Sequence, residues 1–597
     1  MPNRRAGQYS RPQSKAPRSK LSFGVSSFTG IDTTGDPLEI PDMASPDTLN
    51  TVYDTVKSVG TRKGYTKVLT TPTPAANSGI REYYQSNGTK QLVYGAGQFL
   101  YRYDNAGGSV QLTGSQGSFT AGTQWSFDVY QDQLYAANGV DPLQVYNGTS
   151  YNNDTAASFT VNAANVAVTP QFIKFHKNRL YCANKNSSIL YFADAANPSS
   201  FPVNNFIQIN TNDGQNITGI DVLLDSLIVF KDNSIFIITG EPLGAGNTTT
   251  IGNLQLRKAN SDVGCVAFRT IQKVGSQLMF AHSSGIYSFQ NYSTQLISQR
   301  VNLTFKNAMN PGFLSSMWGL YSPAEKKYLL GYPSSVSTTP DQVIVFDLLE
   351  KEFSIWDHFP ASCAANYRFS GQVDSVVFGD PNKGNIYQAF QGYADIAGDN
   401  GTATAGSTTT LTDTSKTWTT NQFADCRVLI VSGAGATQTA VVASNTANTL
   451  TFTTPLGVTL AAGSVYSIGY YMSYWKTKIF DFGLNEWTKK LKYFNIFVDS
   501  ATYNLQVGFS LSFQPLAFQV GVPLNTSNAV WGQANTFWGQ AGITWGSKSS
   551  VQKRINIGGQ ARTVQTIFGN NLSNQPWRVI RYSYTYKLKK ERGDTSN

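Results

Sequence analysis

Between residues 90 and 380 a run of three apolar residues recurs every 42 to 51 positions, and this period predicts the architecture of the chain. The runs are Leu92-Val93-Tyr94, Leu134-Tyr135-Ala136, Leu180-Tyr181-Cys182, Leu227-Ile228-Val229, Leu278-Met279-Phe280, Tyr328-Leu329-Leu330 and Val376-Val377-Phe378. Most are followed, after polar or Gly-containing turn residues, by a second apolar run, as in Ser284-Gly285-Ile286-Tyr287-Ser288-Phe289 and Lys383-Gly384-Asn385-Ile386-Tyr387. Each unit thus holds a hairpin. Four short antiparallel strands take about 40 to 50 residues, cannot cover their own apolar faces, and are buried by stacking neighbours radially. The pattern predicts a β-propeller of six to eight blades over residues 81–395. A sandwich also gives regularly spaced strands, and no Trp-Asp dipeptide closes each unit here.

The flanking patterns differ. Residues 1–20 hold no apolar run and read as a disordered basic tail. Residues 21–80 read as an extended lead-in, broken by Pro and Gly at Gly35-Asp36-Pro37 and Lys63-Gly64, that lies along other surfaces and contributes to a platform. Within it Pro46 to Val59 is the best short helix candidate. Residues 400–468 turn to Thr, Ala, Ser and Gly, with short alternating strands such as Arg427-Val428-Leu429-Ile430-Val431, and read as a small inserted β-domain. Over 469–597 long aromatic strands return (470–480, 489–498, 503–513 and 578–588) and predict a β-sandwich-like platform at the carboxyl end. A Trp-Gly dipeptide recurs there at Trp531, Trp538 and Trp545. Seven is a heptad spacing, but the intervening Gly, Asn and Thr oppose a helix, so a loop with packed indoles is expected. A platform for stacking sugars is the alternative.

Composition strengthens the all-β expectation. Of 597 residues, 41% are hydrophobic, 13% aromatic and only 14% charged, a balance that favours strands and turns over helices. The net charge of +10 is uneven, because Arg4, Arg5, Arg11, Lys15, Arg18 and Lys20 supply +6 in the first twenty residues and leave about +4 for the rest. Such a tail suits nucleic acid or an acidic partner surface. No run of about 18 apolar residues is present to span a bilayer, and the tail lacks the apolar region of a secretory signal. Cys182, Cys265, Cys363 and Cys426 are too scattered for a disulfide framework or a metal knuckle, which fits assembly in a reducing cytoplasm.

Candidate chemistry is sparse. His176, His282 and His358 each fall in a different expected blade, without metal-ligand spacing, and read as structural. No Gly-x-Ser-x-Gly elbow or Walker-type loop occurs. Several carboxylates stand in turn contexts, as at Asp194, Asp232 and Asp380, where Asp caps its own backbone. Asn-x-Ser/Thr triplets, such as Asn216-Ile217-Thr218, read as polar turns. No catalytic, cofactor-binding or metal-binding residue is predicted, and the chain is read as a non-enzyme.

Several stretches together resemble the β-propeller tail hub or nozzle proteins of short-tailed bacteriophages. They are Gly30-Ile31-Asp32 with Asp36-Pro37-Leu38-Glu39-Ile40-Pro41-Asp42, Ser45-Pro46-Asp47-Thr48-Leu49-Asn50, Arg62-Lys63-Gly64-Tyr65, Asn178-Arg179-Leu180-Tyr181, Val345-Phe346-Asp347 and Phe480-Asp481-Phe482-Gly483. The resemblance runs from about residue 21 to 590. It implies a structural virion protein assembled in the host cytoplasm into a homo-oligomeric ring, usually a hexamer, below the portal and adaptor proteins. It also implies a lumen for leaving DNA and an outer face that docks fibres or spikes. A channel for a polyanion should avoid dense Lys/Arg on its wall, so the amino tail and the cluster Lys587, Lys589, Lys590, Arg592 are expected at protein interfaces or near, not along, the moving DNA. Two other classes compete: a carbohydrate-binding or carbohydrate-cleaving propeller with a carboxylate pair in its axial pocket, and a nucleic-acid-associated scaffold anchored by the tail.

Overall fold

The computed structural model describes residues 20–153, 158–161, 164–167, 169–202, 204–243, 253–517, 519–525, 528–529, 544–545 and 550–589. The described residues are nearly all β, and seven four-stranded antiparallel sheets follow one another from residue 77 to 391. Their innermost strands are Asn77–Tyr84, Ser126–Tyr130, Pro170–His176, Ile217–Leu223, Gln272–Val274, Trp318–Ser322 and Cys363–Arg368. Neighbouring inner strands pack side by side, except that the 3-10 turn Phe268–Thr270 lies between those of blades 4 and 5, and the last lies against the first, which closes a seven-bladed propeller.

The seven apolar triplets are the second strands of the seven blades, and their register explains why three consecutive residues are apolar. Successive side chains in a strand point to opposite faces, and here both faces are buried. Leu227 and Val229 enter the cluster shared with blade 3, whereas Ile228 enters the one shared with blade 5. The same division holds for Leu92 and Tyr94 against Val93, and for Leu180 and Cys182 against Tyr181. Each such side chain contributes about 1.5–3 kcal/mol on leaving water. The four cysteines are free and buried, packing as small apolar side chains.

The propeller closes through the lead-in. Blade 7 takes its outer strand from Gly64–Lys67, which pairs with Ile386–Gln391. The propeller therefore starts at Asn77 and also draws on a strand from within the lead-in, the segment expected to lie along other surfaces and contribute to the platform. Pro46 to Val59 is not helical: Thr48–Leu49, Thr51–Tyr53 and Val59–Thr61 are strands, as their β-branched and aromatic residues favour.

The inserted sheet runs from Asp399–Thr402 to Val465–Ile468 around Leu411, Val428, Ile430, Val442 and Tyr466. The carboxyl-terminal module is a sandwich. One sheet contains Leu21–Val25, Val59–Thr61, Thr488–Asp499, Ser550–Asn556 and Arg578–Lys589; the other contains Thr48–Leu49, Ser473–Lys476, Asn504–Leu511 and Val564–Asn570. Phe494, Ile496, Tyr582 and Tyr584 of the first meet Trp475, Val507 and Phe568 of the second in one core. Trp531 and Trp538 lie outside the described residues, as does the side chain of Trp545.

Candidate functional site: the propeller axis and the module junction

The axis of the propeller carries a belt of alternating charge. Arg81, Asp128, Lys174 and Asp221 come from the innermost strands of blades 1 to 4 in turn. Lys174 Nζ lies 2.8 Å from Asp221 Oδ1, and Arg81 Nη2 lies 4.0 Å from Asp128 Oδ1. Asp128 Oδ2 also accepts the Phe175 backbone N–H at 2.7 Å, and Asp221 Oδ1 accepts that of Val222 at 2.7 Å. Burial depresses Lys174, but Asp221 and Asp128 outweigh it and hold the ammonium above its usual value. Arg81, Lys174 and Asp221 of the belt line a cavity of about 470 Å³ with Glu82, Gln272 and Tyr321. In an adjoining pocket that shares Arg81, Lys174 and Asp221, Arg269 donates to the Ser78 carbonyl at 3.3 Å and the Ser316 carbonyl at 3.1 Å, joining blade 1 to the approach to blade 6. Sequence reasoning missed this belt. Its signal was legible, since Asp128, Lys174 and Asp221 each stand six residues ahead of an apolar triplet.

The second site is the junction of the three modules. Arg62 is fully buried, and its guanidinium meets Asp395 through Nη1–Oδ1 at 2.9 Å and Nη2–Oδ2 at 2.8 Å. Its Nε donates to Asn50 Oδ1 at 2.8 Å and its Nη2 to the Asp357 carbonyl at 3.3 Å. The ring of Tyr471 lies 4.0 Å from the guanidinium carbon, with Trp356 at 5.9 Å. The Tyr471 hydroxyl donates to the Arg62 carbonyl at 2.6 Å, and Asn50 Nδ2 reaches the Met472 carbonyl at 2.7 Å. One side chain thereby holds the lead-in, blade 6, the exit from the propeller and the entry to the sandwich. Asp395 and the bidentate bonds keep Arg62 charged despite its burial.

Beside the junction a cleft of about 370 Å³ separates blades 6 and 7 from the insert. Its ionisable groups are already engaged. Asp425 of the insert is bound by Lys67 at 3.0 Å and by Lys383, both of blade 7. Asp341 accepts from the Ser334 amide and hydroxyl at 2.7 and 2.8 Å. Asp380 caps its own turn through the amides of Asn382 and Lys383 and accepts from Tyr387. Asp194 likewise caps a turn, accepting from Ser200 at 2.8 Å and Asn205 at 3.2 Å.

The three histidines fall in blades 3, 5 and 6 and do not meet. His176 packs against Tyr181, His282 bonds Ser284 at 2.8 Å and Asn233 at 3.3 Å, and His358 faces Asp357 at 3.3 Å in the cleft. Burial lowers the pKa of all three. Among the described residues no cluster of His, Cys, Asp or Glu has the composition to hold a metal ion, and no helix is long and apolar enough to cross a membrane.

No protein-family model matches the chain, and no curated protein matches it. Among solved structures, it is similar to the extracellular domain of a hybrid two component system of B. thetaiotaomicron, with 9% identity over 58% of this chain and 43% of that one and a TM-score of 0.35. It is also similar to the Neurospora crassa Pan2 WD40 domain (10% identity, 57% and 99% covered, TM-score 0.33). A third similar structure is virginiamycin B lyase from Staphylococcus aureus (9% identity, 53% and 97% covered, TM-score 0.33).

Proposed function

We propose that this protein is a structural subunit of a bacteriophage tail, forming a ring that continues the DNA-ejection channel below the portal and adaptor and docks fibres or spikes. The observation that carries this reading is the lead-in, which supplies strands to both sandwich sheets and to blade 7 and is tied at Arg62. A conduit under internal pressure needs subunits whose parts cannot shear past one another. Strands shared between modules, with few free sheet edges, meet that need. The resemblance of the lead-in and blade motifs to hub and nozzle proteins points the same way.

The lumen in this reading runs between subunits of the ring. The propeller's own axis is bridged by Arg269 and walled by paired charges, so in this reading DNA does not pass through it. The same pairing weighs against the carbohydrate-cleaving alternative, because Asp128 and Asp221 are each bound to a cation and a backbone amide. Light scattering on the purified chain, alone and with its adaptor ring, tests the proposal. A discrete multimer, six subunits in the simplest case, is expected. A chain that stays monomeric with the adaptor present, or that depolymerises polysaccharide, overturns it.

A further inference from the structure

The positive charge outside the tail is not spread evenly. The sandwich sheet built on Thr488–Asp499, Ser550–Asn556 and Arg578–Lys589 concentrates it on one face. Phe494, Ile496, Tyr582, Tyr584 and Tyr586 fill the core, so the alternate positions of the same strands point outward. Those positions carry Lys490, Arg554, Arg581, Lys587 and Lys589, with Lys20 at the strand's entry. Register sets Lys490 opposite Lys587 and Asn495 between Arg554 and Ser583. The single carboxylate of these strands, Asp499, stands at the far end and is held by Arg578 at 3.3 Å. Among the described residues none of the six outward cations has an ion-pair partner.

The two arginines are pre-positioned on aromatic rings. The Arg581 guanidinium lies 3.9 Å from the centroid of Phe497, and that of Arg554 lies 5.0 Å from Tyr493 while its Nε donates to Asn495 at 3.2 Å. Lys20 Nζ approaches the same Tyr493 ring at 5.7 Å. A guanidinium held against a ring has less rotamer freedom left to lose when its N–H donors bind a ligand. Neutral donors, Ser583 and Thr585, lie between Arg581 and Lys587 along the strand.

We propose that this sheet face is a docking surface for the phosphate backbone of duplex DNA. Cations without carboxylate partners, arginines immobilised on aromatic rings, and hydroxyls between them are the groups that contact phosphates without reading bases. Such a face grips DNA and slows its transit, so it belongs where duplex is held rather than along the narrowest passage. Of the two places expected for Lys587 and Lys589, a protein interface or a position near but not along the moving DNA, they take the second. The inference stands independently of the ring, since a monomeric chain would show it equally.

The test is binding of the full chain to a random-sequence duplex, measured by fluorescence anisotropy across a salt series. The comparison is a variant carrying Lys490→Gln, Arg554→Gln, Arg581→Gln and Lys587→Gln; the tail is common to both. Each lost phosphate contact lowers the slope of log K against log salt by about 0.9, so the variant's slope should fall by about 3 to 4. The single variants Lys490→Gln and Lys587→Gln, whose side chains hydrogen-bond no neighbour among the described residues, should each lower it by about 0.9. Lys306→Gln and Lys351→Gln on the propeller should leave it unchanged. Unchanged slopes in the sheet variants overturn the proposal. So does displacement of the duplex by polyglutamate at equal charge, which would assign the face to an acidic protein surface instead.

Discussion

Arg62 and Asp395 face each other edge to edge, 333 residues apart in sequence, with two parallel hydrogen bonds of 2.9 and 2.8 Å. Each charge would be costly alone at this depth. A buried pair that loses one partner typically loses about 3–5 kcal/mol, because the remaining charge is left uncompensated. Arg62→Met should therefore lower the unfolding free energy at neutral pH by about that amount, read from denaturant unfolding. The loss should also depend on pH. Burial already raises Asp395 to about 6 against the opposing pull of Arg62, and removing Arg62 raises it further. A carboxyl whose folded pKa exceeds its unfolded value stabilises the fold when protonated, and that contribution fades as pH rises. The Arg62→Met deficit should thus be smaller at pH 5 than at pH 7.5. Equal deficits at the two pH values would mean that Asp395 does not carry the effect.

Gly64 begins the strand that closes blade 7, and a Cβ at this position would overlap the Ala394 carbonyl oxygen. The backbone is pinned on both sides, since Gly64 N–H donates to the Gly392 carbonyl at 3.1 Å and Tyr65 packs among Phe359, Phe378 and Tyr387. Gly64→Ala should force the closing strand off its partner. The expected signature is faster hydrogen exchange in Gly64–Lys67 and Ile386–Gln391, with exchange in blade 3 unaffected. Uniform protection across all blades in the variant would refute the closing role.

Within each blade's second strand, neighbouring residues belong to different interfaces. Ile228→Ala should weaken the contact between blades 4 and 5, and Leu227→Ala that between blades 3 and 4, each at about 2–5 kcal/mol. Val373→Ala, at a position 78% exposed, should stay within about 0.5 kcal/mol. A thermal melt of all three variants checks the ordering. Should Ile228→Ala melt like Val373→Ala, the radial stacking of blades would be wrong.

That strand also shows why the fold was legible and much of the site was not. A strand buried on both faces must be apolar at every position, so Leu227-Ile228-Val229 and its counterparts stand out of a polar background and repeat once per blade. The sandwich strands were readable because Tyr582, Tyr584 and Tyr586 alternate with polar residues. The closing strand was not, because pairing of Gly64–Lys67 with Ile386–Gln391 joins segments more than 300 residues apart, and neither end encodes the other. The junction failed for the same reason. In the sequence Arg62 stands out only as part of the lead-in motif, since Asp395, Tyr471 and Trp356 are brought to it by the closure of the propeller. The axial belt was readable in principle, but its charges alternate in sign, so a search for like residues passes over it.

The contact between insert and propeller rests on Asp425, bound by Lys67 and Lys383. Burial pushes this carboxyl up, but the hydrogen bonds from Lys383 and Lys67 outweigh it and hold it below its ordinary value of 3.8. For a carboxyl with a lowered folded pKa, the stabilisation is fully present above the unfolded value and disappears as pH falls through the folded one. Acidification should therefore leave the contact intact down to about pH 4 and loosen it below, as Asp425 takes up a proton and the two ammonium groups lose their partner. Hydrogen exchange in Arg427–Ser432, corrected for the intrinsic pH dependence of the rate, should lose protection only in that acid range. Asp425→Asn should show the loosened state already at pH 7 and no further step on acidification. An acid step of the same size in that variant would place the responsible carboxyl elsewhere.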